Sequence, residues 1–262
     1  MTLEGTCRML DDYVTVEVNG HQADQAVMSL LEYEGWGHFT AMQVRGGQTR
    51  GLDLHLSRLE AAHHDVYGRA LGGQEVRARI RHALGGRPDA SVRVYGYWAG
   101  LIVTVREPQD MPRRPHSMTA VHFQRPLARL KHVGSWGQGQ FRQAALAAGF
   151  DEGLLVDETG RISEGVITNV GLWRDGMVIW PDAPKLAGIT MLLLRRQLTA
   201  TGIRQAEEPV RVQDLTGYHG MILCNSRGWA PVSRVDDLAI TQDEAFAGVI
   251  TAAIDNCPWD EI

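Results

Sequence analysis

The sequence predicts an α+β fold in two domains, and three observations carry that reading. Strand-like segments are grouped with helical ones and do not alternate strictly with them, as a doubly wound sheet would require. Neither a GxGxxG nor a Walker A loop occurs, so dinucleotide and P-loop folds lose their usual support. A stretch at 107–117 contains Pro108, Pro112 and Pro115 and has no apolar periodicity. It reads as a linker between a smaller domain over 1–116 and a larger one over 118–262.

Residues 14–18 (Val-Thr-Val-Glu-Val) alternate and run into Asn19-Gly20, a strand with a hairpin turn signal. Residues 38–45 read as a second strand, closed by Gly46-Gly47. From Leu52 the spacing becomes helical, with Leu52, Leu56, Leu59, Val66 and Ala70 at steps of three and four. A second helix covers 75–84 and stops at Gly85-Gly86; strands at 91–98 and 101–106 flank Ala99-Gly100. Beyond the linker the pattern predicts a strand at 118–123, a helix at 138–149, and strands at 153–157, 161–173 and 177–180. A helix at 189–202, a β-rich stretch through Ile240 and a closing helix at 242–255 complete the chain.

Composition narrows the function classes. The 262 residues are 44% hydrophobic with a formal net charge of −5, which suits a soluble core and offers no basic footprint for nucleic acid. No apolar run approaches the ~20 residues that span a bilayer. Residues 1–5 (Met-Thr-Leu-Glu-Gly) lack the basic and apolar regions of a secretory signal, so a cytoplasmic protein is expected. Cys7, Cys224 and Cys257 are too dispersed for a disulfide framework, and no Cys/His spacing fits a metal site. The adjacent pair His63-His64 reads as surface, because neighbours on a helix point apart. Lysine is scarce: only Lys131 and Lys185 occur among 26 basic residues, so chemistry that needs an internal primary amine has two candidates.

Four segments in order, and a fifth near the end, carry a family resemblance. They are Gly35-Trp-Gly-His-Phe-Thr-Ala-Met-Gln-Val44 with Leu54-His-Leu-Ser-Arg-Leu59; Leu130-Lys131-His132; Gly149-Phe-Asp-Glu-Gly-Leu-Leu-Val-Asp157 through Ile162-Ser-Glu-Gly-Val-Ile-Thr-Asn169; Leu186-Ala-Gly-Ile-Thr190; and Asn225-Ser-Arg-Gly-Trp-Ala-Pro-Val232. Their order and spacing resemble the class-IV aminotransferases, which are fold type IV pyridoxal-phosphate enzymes and include aminodeoxychorismate lyases. The resemblance implies a D-amino-acid-aminotransferase-like fold, a homodimer, and pyridoxal 5'-phosphate as cofactor. It also implies a reaction between an amino acid and a 2-oxo acid.

By the same resemblance Lys131 is the Schiff-base lysine and Arg58 binds the cofactor phosphate. Ile189 and Thr190 open the phosphate-binding helix, where unpaired N–H groups and the helix dipole favour an anion. Glu164 holds the pyridine nitrogen protonated, and Asn169 belongs to the cofactor site. Each residue also has an ordinary alternative. Lys131 and Lys185 could be solvated, and Lys185 beside Pro184 reads as exposed. Glu164 could mark a turn or bulge, Arg58 could pair with Asp53 or Glu60, and Thr190 could be a helix N-cap.

The sequence departs from the family in several places. Transaminases of the family carry a tyrosine shortly after the lysine, where this chain has His132-Val-Gly-Ser-Trp136, and Trp136 reads as a packing residue. Thr40 stands in place of an acidic residue, Met191 in place of an arginine, and the strand ending Tyr97-Trp98 lacks a T-R-G. Recognition of the substrate carboxylate then falls to Arg93, Tyr95 or Tyr97, and His38 is read as a further substrate contact. Three functions remain open on sequence: amino transfer, lyase-type elimination that releases pyruvate, and non-catalytic binding by a degenerate member.

Overall fold

The computed structural model describes residues 13–24 and 35–262, and the chain divides into two compact units. Residues 1–5 and Cys7 lie outside the described residues. Strands are β1 to β16 and helices α1 to α5 in chain order.

The first unit takes the described residues through Gln109, together with Leu130–Gly134 and Pro258–Ile262. Its sheet contains β1 (Tyr13–Val18), β2 (His21–Gln22), β3 (His38–Arg45), β4 (Gln48–Arg50), β5 (Ala90–Tyr97), β6 (Gly100–Arg106) and β16 (Trp259–Glu261). The order is β16-β4-β3-β5-β6-β1-β2, and every pairing is antiparallel. The β1–β2 turn is the expected one, with Asn19 and Gly20 both at positive φ (51° and 80°). One face of the sheet carries α1 (Leu52–Tyr67) and α2 (Gly73–Leu84). Met42 and Val44 of β3, and Val92 and Val94 of β5, pack there against Leu59, Val76 and Ile80. Alternation then turns Phe39 and Ala41 of β3, and Arg93, Tyr95 and Tyr97 of β5, to the opposite face.

The second unit spans Asp110–Arg129 and Ser135–Cys257. Its sheet contains β7 (His116–His122), β8 (Glu152–Val156), β9 (Ile162–Gly165), β10 (Asn169–Arg174), β11 (Met177–Pro181), β12 (Arg204–Glu208), β13 (Gly220–Asn225), β14 (Gly228–Val235) and β15 (Leu238–Ala239). The order is β12-β11-β10-β13-β14-β7-β8-β9, with β15 on β14. Parallel pairs need crossover connections. The one between β7 and β8 contains α3 (Trp136–Ala147), and the one between β11 and β12 contains α4 (Ile189–Ala200). Both sheet faces are buried, which is why the strands read as continuous apolar runs. Leu154, Ile162, Leu172 and Leu223 lie in one core; Trp180, Leu194, Ile222 and Phe246 lie in another, with α4 and α5 (Glu244–Asp255). The Asp243 carboxylate caps α5 by accepting from Phe246 N–H at 2.8 Å.

Several expectations need correction. The strand predicted over 161–173 is broken after Gly165: Gly165 N–H donates to Thr168 O (2.8 Å), and β10 starts at Asn169. Residues 116 and 117, read as linker, already belong to β7, paired in parallel with β14. His63 is buried on α1, whereas His64 is exposed. Trp136 is 79% exposed and so does not pack. Lys185 is half-buried, because its ammonium donates to Pro181 O at 2.7 Å and lies 3.5 Å from Glu207. Its aliphatic stem packs while its charge reaches acceptors.

Ile80 is fully buried under the first sheet. Ile80→Ala is expected to cost about 2–5 kcal/mol in urea unfolding followed by circular dichroism. A second test concerns Glu152, whose burial pushes its carboxyl up to about 7 against the pull of Arg142. A carboxyl raised in the folded state contributes fully below its unfolded pKa, and that contribution is lost as pH rises through the folded value. Glu152→Gln is therefore expected to be near neutral at pH 4 and to stabilise by on the order of 2–3 kcal/mol at pH 8.

Candidate active site

In the first unit, residues 131–133 run antiparallel to the start of β3. Phe39 N–H donates to Lys131 O (2.8 Å), Val133 N–H donates to Gly37 O (2.9 Å), and His38 bridges His132. The chain segment that carries the candidate lysine is thus held as a short added strand. The Lys131 ammonium lies 4.8 Å from the centre of the Phe39 ring, on the sheet face opposite the helices.

Helix α1 supplies the other cation. Buried positions Leu52, His55, Leu59, Ala62 and His63 fix its rotation against the sheet, with Arg58 half-buried alongside. Burial draws the Arg58 guanidinium down to about 10. Glu60 accepts from Leu71 N–H at 2.8 Å. His55 shares a 2.7 Å hydrogen bond with Thr40 Oγ1, so a threonine and a histidine occupy the place where the family has an acidic residue. The imidazole of His55 is pulled down to about 3 by burial, and then by the positive charges of Arg58 and Lys131. Both cations therefore act on one neutral imidazole, which concentrates positive charge around it.

Of the residues read as substrate contacts, His38 is fully buried and faces α1, where its Nε2 lies 3.1 Å from His63 Nδ1. Burial and His63 hold it down at about 4. Gly96 makes this possible, since a Cβ there would meet the His38 ring at 2.4 Å. Arg93, Tyr95 and Tyr97 share the opposite face. Tyr95 stacks on Phe39 (centroids 5.3 Å apart), Arg93 reaches the Tyr95 hydroxyl at 3.4 Å, and Tyr97 lies against Gly37.

The second unit brings together Glu164, Asn169 and the 186–190 segment. Glu164, at the bulged pairing of β8 with β9, is both a bulge residue and a buried charge. Its Oε1 accepts from Arg125 Nε at 2.8 Å, and its Oε2 accepts from Leu186 N–H at 3.1 Å. Arg125 is itself buried and also donates to Ala128 O. Asn169 donates to Leu186 O at 2.8 Å, so β9 and β10 together tie down the loop before α4. The N-cap of α4 is Gly188, not Thr190, and a Cβ at Gly188 would collide with Asn169 Oδ1. Ile189 and Thr190 are the first helical residues, whose N–H groups have no acceptor within the helix. The Thr190 hydroxyl donates to Asn225 O at 2.7 Å.

Sequence reasoning missed Arg125, His55 and Phe39 as members of these clusters. His55 and Phe39 lie inside the quoted motifs, three residues before Arg58 and one after His38. Arg125 sits in Gln124-Arg-Pro126 with no spacing signal, and only the folded position of Glu164 discloses it.

Chemically, the first unit offers an amine and a guanidinium beside an uncharged imidazole, a donor set suited to an aldehyde and a phosphate. The second offers a fixed carboxylate and a helix start open to an anion. Comparison with solved structures gives the fold. A hypothetical aminotransferase from Mycobacterium tuberculosis in its PLP-bound form aligns with a TM-score of 0.78 at 21% identity, over 92% of this chain and 99% of that one. The branched-chain aminotransferase from Thermoproteus uzoniensis with norvaline aligns with a TM-score of 0.79 at 18% identity, over 92% and 94%. A fold IV-transaminase from Curtobacterium pusillum aligns with a TM-score of 0.74 at 20% identity, over 84% and 86%. Among curated proteins the sequence has no match. Residues 37–235 match the family described as Amino-transferase class IV, most of the chain and all of the quoted motifs except Gly35 and Trp36. The chain belongs to the class IV amino-transferase family.

Proposed function

We propose that this protein is a pyridoxal 5'-phosphate-dependent aminotransferase that moves an amino group between an amino acid and a 2-oxo acid. The observation that carries this reading is the placement of Arg58 and Lys131 around one buried, neutral imidazole, His55. Positive charge that acts on one site from two residues favours an anion, and a phosphate ester supplies one. Family membership and the PLP-bound relative support the same cofactor.

When bound, pyridoxal phosphate supplies an aldehyde that takes up amines and a ring that draws electrons from the substrate α-carbon. The protein's own groups then have distinct tasks. Lys131 Nζ would hold the cofactor, and its free amine would be the group that moves the substrate α-proton. Arg58 in the first unit, and separately the N–H groups of Ile189 and Thr190 in the second, are each suited to a phosphate. Asn169 holds the loop that presents that helix start. The Glu164 carboxylate would be the group that holds a pyridine nitrogen protonated. Arg125 Nε and the Leu186 N–H both donate to that carboxylate and so fix its orientation. Arg125 holds Glu164 in place through its Nε donor. A homodimer in the cytoplasm belongs to the same proposal. Light scattering at about twice the 29.0 kDa chain mass is expected, and the chain mass itself contradicts the dimer.

Borohydride reduction of cofactor-saturated protein, followed by peptide mass mapping, tests the central residue. The label is expected on Lys131, to vanish in Lys131→Ala and to persist in Lys185→Ala. A label on Lys185, or none, would sink the assignment. Glu164→Gln is expected to retain cofactor and to slow α-proton exchange by ~100-fold or more, the usual loss for a preorganised electrostatic partner. Arg58→Ala is expected to weaken cofactor retention on dialysis while a hydrogen-bonding variant of Thr190, Thr190→Ser, retains it.

A further inference from the structure

We propose that Arg93 is the residue that anchors the substrate carboxylate, an inference that rests on the aminotransferase reading and deepens it. The sequence alone leaves His38, Arg93, Tyr95 and Tyr97 as substrate contacts, and their surroundings separate them. His38 is fully buried on the helix side of the sheet, with one ring nitrogen on His63. Tyr95 stacks on Phe39, and Tyr97 fills the space above Gly37. Each tyrosine has a single hydroxyl donor, whereas a guanidinium offers a parallel pair to a carboxylate.

Arg93 differs in three respects. It is half-buried on the strand face that also carries Phe39, and its guanidinium lies 6.0 Å from the centre of the ring that Lys131 approaches to 4.8 Å. Among the described residues its side chain makes no ion pair; its one hydrogen bond is the 3.4 Å contact to the Tyr95 hydroxyl, at the outer limit for such a bond. A guanidinium has five N–H donors, so a pair remains for a bidentate carboxylate. The cross-strand neighbour of Arg93 on β6 is Thr104, 6% exposed, whose buried hydroxyl has no hydrogen-bond partner among the described residues. Buried polar atoms are ordinarily satisfied. A partly buried cation without an anion, next to a hydroxyl without a partner and close to the reactive amine, describes a place where a polar, negatively charged ligand group binds. The ligand class is an amino or oxo compound that bears a carboxylate, recognised through that group.

The test is calorimetric titration of the pyridoxal-phosphate-loaded protein with hexanoate and with hexanamide, neither of which can react. Wild type is expected to bind the carboxylate more tightly than the amide. Arg93→Gln is expected to reduce that preference about 10- to 100-fold, the range for losing a charged hydrogen-bonding partner. Arg93→Lys, which keeps the charge without the fork, is expected to keep an intermediate preference. No preference in wild type, an unchanged preference in Arg93→Gln, or equal weakening of both ligands in both variants would overturn the proposal. Borohydride labelling of Lys131 in the same preparations reads the cofactor assignment separately. Label present with the preference unchanged overturns the role of Arg93 alone; label absent with the preference lost in Arg93→Gln overturns the cofactor assignment alone.

Discussion

Two backbone hydrogen bonds, Phe39 N–H to Lys131 O and Val133 N–H to Gly37 O, fix where the lysine of the family motif sits. They join a segment past residue 129 to the first residues of β3, and the same pairing sets the side-chain alternation on both strands. Phe39 is directed away from the helices, beneath the Lys131 ammonium, while His38 and Thr40 are directed toward α1. A slip of one residue would reverse every one of these directions, because the side-chain period of a strand is two. The location of the amine, the burial of the histidines and the composition of the open face all follow from that register.

The histidines of α1 then have a physical role. His55 and His63 are buried and bound to Thr40 and His38, so the interior beside Arg58 is polar yet uncharged. Burial holds His38 and His55 far below neutrality. An acidic residue at Thr40 would neutralise the nearby cations internally. With threonine there, the group hydrogen-bonded to His55 is a hydroxyl and not a carboxylate. In the second unit the charge is arranged the other way, with the buried Glu164 already matched by Arg125 and the Leu186 N–H. Breaking such a pair from one side leaves a buried charge and costs several kcal/mol, so Arg125 and Glu164 are expected to act as a unit.

Much of this was legible in the sequence. The hairpin at Asn19-Gly20 and strand β3 followed from turn chemistry and alternation, and the motif order disclosed the family that residues 37–235 match. Other features had no local signal. The break between β9 and β10 is made from Val166, Ile167 and Thr168, β-branched residues that read as strand. Strand β12, Arg-Gln-Ala-Glu-Glu, has no apolar alternation and is specified by its parallel pairing with β11. The partnership of Arg125 with Glu164 crosses 39 positions and emerges only when the loop after β7 folds against β9. Lys185 looked solvated because proline neighbours suggest an open loop, yet the Pro181 carbonyl holds its ammonium.

The central claim is that the charge gathered around His55 serves a cofactor on Lys131 that reacts with amino acids. The visible absorption spectrum of the purified, pyridoxal-phosphate-saturated protein tests it most directly, recorded before and after addition of a panel of amino acids. The account predicts a yellow, protein-bound band that survives desalting and is bleached by at least one amino acid, with recovery on adding a 2-oxo acid. A spectrum that loses its visible band on desalting, or one that no amino acid alters, would contradict it.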